Sequence, residues 1–329
     1  MKINEIWRLN IDAVKLMWYI RPQRCICRSC MKVVDLFSGC GGLSLGFVNQ
    51  GFDVCVAMEN WDAAIRCYEA NFNHPICKVD LSNVEDAVSM IEQYSPDGII
   101  GGPPCQDFSH AGKRIESGRA SLTDCYAQII SKVRPRFFVM ENVDRAQKSK
   151  AYTSAREIFK KAGYGLTEIV LDASLCYTPQ KRKRFICFGI LGSADASAYS
   201  NFVSMQSSVP MTLRDYFGDS LGFDYYYRHP RNYNRRGVFS VDEPAPTMRG
   251  VNRPIPKGYK GNACDACPIS SEVHVLTSQE RALIQTFPRE YKWIGTKTDI
   301  EQMIGNAVPV KLAEFIAKVV KNTLSKNDE

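Results

Sequence analysis

The chain has 329 residues, a formal net charge of +7, 45% hydrophobic and 23% charged residues, which excludes a disordered chain and allows one large or two modest domains with a real core. No apolar run reaches membrane-spanning length, and the amino terminus carries no signal-peptide core. The 13 cysteines are scattered through predicted strands, helices and loops, so we expect free thiols in a reducing cytoplasm, not a disulfide framework.

Residues 1–30 differ from the rest of the chain: tryptophans and aliphatics mixed with basic residues, ending in Arg24-Cys25-Ile26-Cys27-Arg28-Ser29-Cys30. Three close cysteines lack the fourth ligand of a closed zinc site, which only the distant Cys264 and Cys267 could help supply, so no metal is expected. Met31 opens a strand directly. We therefore expect residues 1–30 to be an upstream extension, with Met31 as the natural start.

Lys32 to Phe37 reads as a buried strand, followed by Ser38-Gly39-Cys40-Gly41-Gly42 and a helix from Leu43. Strand, glycine turn and helix N-terminus form a generic nucleotide-binding opening, because backbone amides and the helix dipole face the ligand. Ser44 occupies the third glycine position of G-x-G-x-x-G, which weakens a pyrophosphate reading and leaves another nucleoside cofactor open. A second strand, Asp53–Met58, ends at Glu59-Asn60-Trp61, where a carboxylate suits ribose hydroxyls and an indole suits an adenine face. Ile76–Asp80 is a third strand ending in a carboxylate, a candidate acceptor for the adenine amino group.

The strand Asp97–Ile100 stops at Gly101-Gly102-Pro103-Pro104-Cys105-Gln106. The prolines forbid strand or helix, so Cys105 stands on a stiff turn at a strand's C-terminal end, the edge where open α/β sheets bind ligands. A cysteine there is a candidate nucleophile, although a lone cysteine is more often a small buried hydrophobe. The polar stretch Ser109–Arg119 reads as a lid or a plain surface loop. A helix over Leu122–Val133 leads to a strand, Arg136–Met140, that ends in Glu141-Asn142-Val143, a second acidic group on the same edge. Strands over Thr167–Leu171 and Arg184–Ile190 flank Pro179-Gln180-Lys181-Arg182-Lys183-Arg184, where alternation places Arg182 and Arg184 on one face.

From 192 to 274 the strand–helix rhythm stops. Tyr225-Tyr226-Tyr227-Arg228, Arg231, Tyr233, Arg235, Arg236, Arg249 and Arg253 interleave aromatic and basic side chains, as a nucleic-acid surface does. Helices return over Ser278–Phe287 and Lys311–Leu324, separated by Gln302–Pro309.

With these stretches assembled, the chain from Met31 resembles the cytosine-C5 DNA methyltransferases of bacterial restriction–modification systems. Six motifs match in family order: Asp35–Gly42, Gly102–Gln106, Glu141–Val143, Gln180–Arg184, Leu276-Thr277 to Glu280, and Gln302–Pro309. The resemblance implies an α/β, Rossmann-like S-adenosylmethionine-dependent methyltransferase fold with a mixed, mostly parallel sheet. It implies a catalytic domain over 31–191, resumed at 275–329, and a smaller irregular target-recognition domain over 192–274. By resemblance Cys105 is the nucleophile that adds to C6 of a flipped-out cytosine, Glu141 bonds N3 and the exocyclic amine, Arg184 holds O2, and Arg182 is its supporting neighbour. Phe37, Gly39, Gly42, Glu59, Trp61, Asp80, Pro104, Leu122 and Asn306 match positions around S-adenosyl-L-methionine. Ser109, Arg231, Arg235, Arg236, Thr247, Arg249 and Arg253 are the DNA-contacting candidates. The implied protein is a cytoplasmic monomer acting on double-stranded DNA, away from membranes, with a cognate restriction endonuclease in the same system.

Three other readings compete. A transfer-RNA branch of the family carries Cys-Phe-Thr where this chain has Asp124-Cys125-Tyr126-Ala127. A binding protein that has lost catalysis conflicts with the intact Cys105, Glu141, Arg182 and Arg184. A dinucleotide-dependent oxidoreductase conflicts with Ser44 and the Pro-Pro-Cys-Gln turn.

Overall fold

The computed structural model describes residues 30–104, 121–230, 232, 234–270 and 272–326. Seven strands form one sheet: β1 (Lys32–Leu36), β2 (Asp53–Glu59), β3 (Ile76–Lys78), β4 (Gly98–Gly101), β5 (Phe137–Val143), β6 (Tyr164–Asp172) and β8 (Lys183–Leu191), in the spatial order β3-β2-β1-β4-β5-β8-β6. The pairs β2–β3, β1–β2, β1–β4 and β4–β5 are parallel, while β8 runs antiparallel to both β5 and β6. Chain order reverses between β1 and β4, which makes the carboxyl ends of these two strands the sheet's switch point.

Helices cover both faces. On one side Val33, Phe137 and Phe188 pack with α1 (Gly42–Asn49) and the C-terminal α10 (Val310–Lys326) through Phe47, Phe315 and Ile316. On the other, Val34, Ile99 and Phe138 pack with α4 (Leu122–Val133) and α5 (Lys150–Lys161) through Tyr126, Ile130 and Phe159. The assignment follows the two-residue period: Val33 and Val34, like Phe137 and Phe138, point to opposite sides. Both faces are buried, so the strands read as continuous apolar runs. Gly98 lies over the Phe137 ring and Gly189 over the Phe138 ring, so a Cβ at either would overlap an aromatic.

The C-terminal helix returns to the start of the chain. Gly46 of α1 lies so close to Ala313 of α10 that a methyl group at 46 would overlap the alanine, and Gly42 lies equally close to the Val308 carbonyl. The segment after β8 divides. Phe202, in the helix α6 (Tyr199–Ser204), joins the sheet core beside Phe315, and Asn201 Nδ2 donates to Thr323 Oγ1 at 2.9 Å. A separate core begins at Leu213, in α7 (Leu213–Phe217), with Tyr226, Phe239, Val241, Ala245 and Met248. Residues 199–204 thus pack with the sheet core, and the second cluster begins at Leu213.

The later segment holds β9 (Tyr225–Tyr227), β10 (Val238–Ser240) and β12 (His274–Val275) in a small sheet ordered β10-β9-β12. Tyr226 and Tyr227 face two different clusters, the second containing Val238, Tyr259 and Val273. Asp265 ties the far loop to this sheet: its carboxylate accepts from the amides of Gly237 and Val238 at 2.7 and 2.9 Å and from Tyr259 Oη at 2.8 Å. A two-residue parallel pairing joins β7 (Gln180–Lys181) to β11 (Ala245–Pro246). Among the described residues no helix is long and apolar enough to cross a membrane, and no cluster of His, Cys, Asp and Glu could hold a metal ion.

Candidate active site

Four neighbouring strands deliver the site. Leu36 of β1 pairs with Gly101 of β4, and Gly101 with Met140 of β5, so the glycine loop, the Gly101–Pro104 turn and Glu141 share one edge. The turn is anchored from β5: Asn142 Nδ2 donates to the Pro103 carbonyl at 2.9 Å, and its Oδ1 accepts from the Val143 amide at 2.8 Å. Cys105 and Ser109 follow this anchor and lie outside the described residues, as does Arg231.

Glu141 and Arg184 meet through sheet register. Val143 pairs with Arg184 and Glu141 with Ile186, so the two side chains are diagonal neighbours on antiparallel strands. Arg184 Nε lies 2.7 Å from Glu141 Oε1, with side-chain exposures of 12% and 9%. Gly102 borders the other oxygen: a Cβ there would lie 3.2 Å from Glu141 Oε2. A nearly desolvated, charge-assisted pair of this kind holds a carboxyl in one orientation at the end of its strand.

Arg182 departs from the shared-face expectation. The extended segment is interrupted at this residue, between β7 and β8, where its carbonyl accepts from the Ala173 amide at 3.0 Å. Its side chain is 1% exposed and turns away from Glu141 to donate to the carbonyls of Met248, Gly305 and Ala307 at 3.0, 2.9 and 3.0 Å. Burial and the neighbouring Arg184 push its pKa below the ordinary value, with Glu141 opposing. A guanidinium starts so high that it stays charged.

The cofactor candidates Phe37, Glu59, Asp80 and Pro104 stand at or just past the carboxyl ends of β1, β2, β3 and β4. Phe37 adopts a left-handed backbone (φ 57°), as do Gly39 and Gly41, and this tight turn leads directly into the first turn of α1. No side chain caps α1. Its N-terminal amides are thus free of a competing protein acceptor of the usual capping kind. Glu59 Oε2 accepts from the Gly39 amide at 2.8 Å, while Oε1 accepts from Asn60 and Trp61 at 2.8 and 3.0 Å. A carboxylate offers about four lone-pair sites, so Glu59 keeps acceptor capacity for ribose hydroxyls. Trp61, Phe37 and Leu122 are half-buried, and Asp80, Pro104 and Asn306 are exposed. The turn after β3 uses Asp80 Oδ1, which accepts from Ser82 N at 3.0 Å and Ser82 Oγ at 2.7 Å. These residues fit a nucleoside cofactor: a shaped backbone cradle, a ribose acceptor and an aromatic wall, with no lysine or arginine in the glycine loop to pair a phosphate.

Beneath the glycine loop lies a buried polar chain that the sequence alone does not single out. Asp35, fully buried on β1, accepts from Ser44 Oγ at 2.5 Å. Tyr68 Oη donates to Ser44 Oγ at 2.7 Å, and His74 Nε2 lies 2.6 Å from Tyr68 Oη. Each hydroxyl has one proton, so the chain runs in one direction and His74 is assigned the Nε2–H tautomer. Asp35 Oδ1 has no hydrogen-bond partner. Burial pushes this carboxyl up to about 7, with Glu59 adding to the shift and the Ser44 bonds opposing it. Since the folded value exceeds the ordinary 3.8, the neutral form favours folding: the contribution is full below about 4, falls as pH rises to about 7 and is flat above. The loss amounts to about 4 kcal/mol. Burial depresses His74 to about 4, so its own stabilising contribution is full above about 6.5 and is lost as pH falls towards 4. The Asp35→Asn variant should remove the first dependence and leave the second. Urea unfolding midpoints from pH 5 to 8 check this; a wild-type minus variant difference that stays constant across that range would refute the assignment.

The DNA candidates are placed unequally. Arg235 and Arg253 are exposed. Arg236 is paired with Glu243 and its guanidinium carbon lies 4.2 Å from the Phe239 ring centre, so this arginine is committed within the protein. Thr247 Oγ1 donates to the Lys181 carbonyl at 2.9 Å, and Arg249 donates to the His229 carbonyl.

Sheet order and glycine turn are those of the α/β fold shared by S-adenosylmethionine-dependent methyltransferases. Residues 31–322 match the family model of the C-5 cytosine-specific DNA methylases, and the chain belongs to that family. It is 56% identical over 294 residues to the type II methyltransferase M.HindV of Haemophilus influenzae, covering 89% of this chain and 97% of that protein. It is 51% identical over 297 residues to M.HgiDI of Herpetosiphon aurantiacus, covering 90% and 96%. In fold it is similar to a prophage-encoded DNA modification methyltransferase from E. coli (TM-score 0.65, 23% identity, covering 90% of this chain and 99% of that one). It is also similar in fold to the S. pombe Dnmt2 methyltransferase (TM-score 0.65, 17% identity, covering 89% and 99%).

Proposed function

We propose that this enzyme methylates C5 of one cytosine within a short duplex DNA sequence, as the modification partner of a restriction endonuclease in the cytoplasm. The observation that carries the reading is the enclosed Glu141–Arg184 pair beside the anchored Pro103-Pro104 turn that precedes Cys105. The type II names of the two relatives support the restriction–modification role.

A stacked cytosine hides C5 and C6, so the base is taken out of the duplex at a cost of a few kcal/mol. The Cys105 thiolate, the attacking form of a thiol, adds to C6. Glu141 bonds N3 and the exocyclic amine, taking up the charge that develops on the ring, and Arg184 fixes O2. The electron pair displaced from the C5–C6 bond makes C5 nucleophilic. Phe37, Gly39, Gly42, Glu59, Trp61, Asp80, Pro104, Leu122 and Asn306 would hold S-adenosylmethionine, which when bound would supply an electrophilic methyl group to C5 and leave as S-adenosylhomocysteine. Loss of the C5 proton restores the double bond and expels Cys105.

The test is transfer of labelled methyl to duplex DNA, with transfer RNA in parallel, followed by bisulfite sequencing. Label in DNA at one short motif is the expected result. Label confined to RNA, or absent from both, overturns the reading.

A further inference from the structure

A buried polar network around Gln180, Arg182 and Arg281 grips one piece of chain, Thr247–Asn252. The Met248 amide donates to Gln180 Oε1 at 2.9 Å and the Met248 carbonyl accepts from Arg182 at 3.0 Å. The Thr247 carbonyl accepts from Arg228 at 2.7 Å, and the Arg249 carbonyl from Arg281. Asn252 Nδ2 donates to the Leu276 carbonyl at 2.7 Å, and Arg281 pairs with Glu301.

The same side chains grip the segment around Asn306. Arg182 Nη2 reaches the carbonyls of Gly305 and Ala307, which bracket Asn306. Gln180 donates to Gln285 at 2.7 Å, and Gln285 donates to the Ile304 carbonyl at 2.5 Å. Where the two segments cross, Gly305 meets Gly250 backbone to backbone, and no Cβ fits at 305. Gln180, Arg182, Gln285, Arg281 and Glu301 are all 4% exposed or less.

We infer that Gln180, Arg182 and Arg281 are positioning residues that lock the Thr247–Asn252 strap against the Gly305 crossing, so that DNA recognition and cofactor retention share one clamp. The physical reason is directness. Backbone carbonyls and amides that would otherwise be buried without partners are satisfied by these side chains, and removing one donor leaves several acceptors unpaired at once. The strap emerges from the clamp at Val251, 55% exposed, and at the exposed Arg253, so its geometry sets what it presents to a partner. Arg182 therefore acts through other groups and does not touch the base. This inference rests on the proposed function for the roles of Asn306 and of the recognition segment.

The test uses the full chain with Arg182→Lys and Arg182→Met. Affinity for S-adenosylhomocysteine and for a duplex carrying the mapped site are measured separately, and single-turnover methyl transfer is followed from pH 6 to 9 at saturation. Losing a buried bond to a charged donor is worth about tenfold or more in affinity, so both dissociation constants should rise by at least about that factor. Methionine, which has no donor, should be worse than lysine, and the shape of the pH profile should not move. A fall in saturated rate or an altered pH profile with unchanged cofactor affinity would place Arg182 on the base and overturn the clamp. Should these variants fail to fold, Gly250→Ala serves: its Cβ would press on Gln302 Cα at 3.2 Å and open the crossing with every donor in place. Joint weakening supports the clamp; weakening of DNA alone refutes it. Wild-type protein that binds both ligands yet transfers no methyl would sink the proposed chemistry, while the two binding constants still decide the clamp.

Discussion

Replacing Cys105 with serine is expected to reduce methyl transfer to background while duplex DNA and cofactor still bind. A thiol near its ordinary pKa of about 8.5 provides a usable thiolate fraction at neutral pH, and thiolate sulfur is intrinsically a strong nucleophile. A serine hydroxyl at the same point is protonated and needs a strong adjacent base. The described edge offers no histidine for that role. The polar groups beside the Pro103 anchor are Glu141, already bonded to Arg184, and Asn142, already bonded to Pro103. Serine matches cysteine closely in size, and the described cradle is held by the bond from the Gly39 amide to Glu59, so binding should persist. Two measurements separate chemistry from binding: cofactor and DNA titrations, and trapping on a duplex with fluorine in place of the C5 hydrogen. The wild type should form a denaturant-stable adduct because fluorine cannot leave as the proton does. The variant should form none. Adduct formation by the serine variant, or turnover near the wild-type rate, would remove Cys105 from its role.

The legibility of each element in the sequence follows its physics. The buried parallel strands β1, β2, β4 and β5 appear as apolar runs stopped by glycine or a carboxylate, because both faces are covered and nothing polar interrupts them until the sheet edge. The helix over about Leu122–Val133 is legible in the sequence; in the structure Ser121 caps its start and Arg134, left-handed at φ 52°, ends it. Four features are not legible. The strands β9 to β12 are two or three residues long, too short to show a period of two, and Phe202 gives no local sign that it belongs to the sheet core. The helix α9 (Lys297–Asn306) contains Gly305, a poor helix former that is there because its backbone touches Gly250. Arg182 defeats the alternation rule because the strand breaks at that residue, sending its guanidinium to carbonyls more than sixty positions away in sequence. A buried carboxylate inside an apolar strand, Asp35, is a signal present in the sequence, but its partners Ser44, Tyr68 and His74 are brought together only by folding.

Glu141→Gln should lower the methyl-transfer rate by about 10²–10⁴, the usual worth of a positioned acid–base group. Glutamine keeps the shape of glutamate next to Gly102, where there is little room, so the change removes charge and proton capacity more than volume. It also leaves the Arg184 guanidinium, 12% exposed, without its counter-ion. Removing one member of a buried pair costs about 3–5 kcal/mol in stability, because the survivor remains desolvated. The companion change Arg184→Met removes the other charge, and the double variant removes both. Glu141 and Arg184 act as one unit if the two single variants lose nearly the same rate and the double variant is little worse than either. The stability cycle should show the same coupling: the double variant should recover part of the loss, since no uncompensated charge remains, giving an interaction energy of about 0.5–3 kcal/mol. Single-turnover rates at saturating DNA and cofactor, paired with urea unfolding of all four proteins, give both cycles from one set of samples. Strictly additive losses in both would mean that the 2.7 Å contact orients nothing, and Glu141 would then have to find its geometry elsewhere.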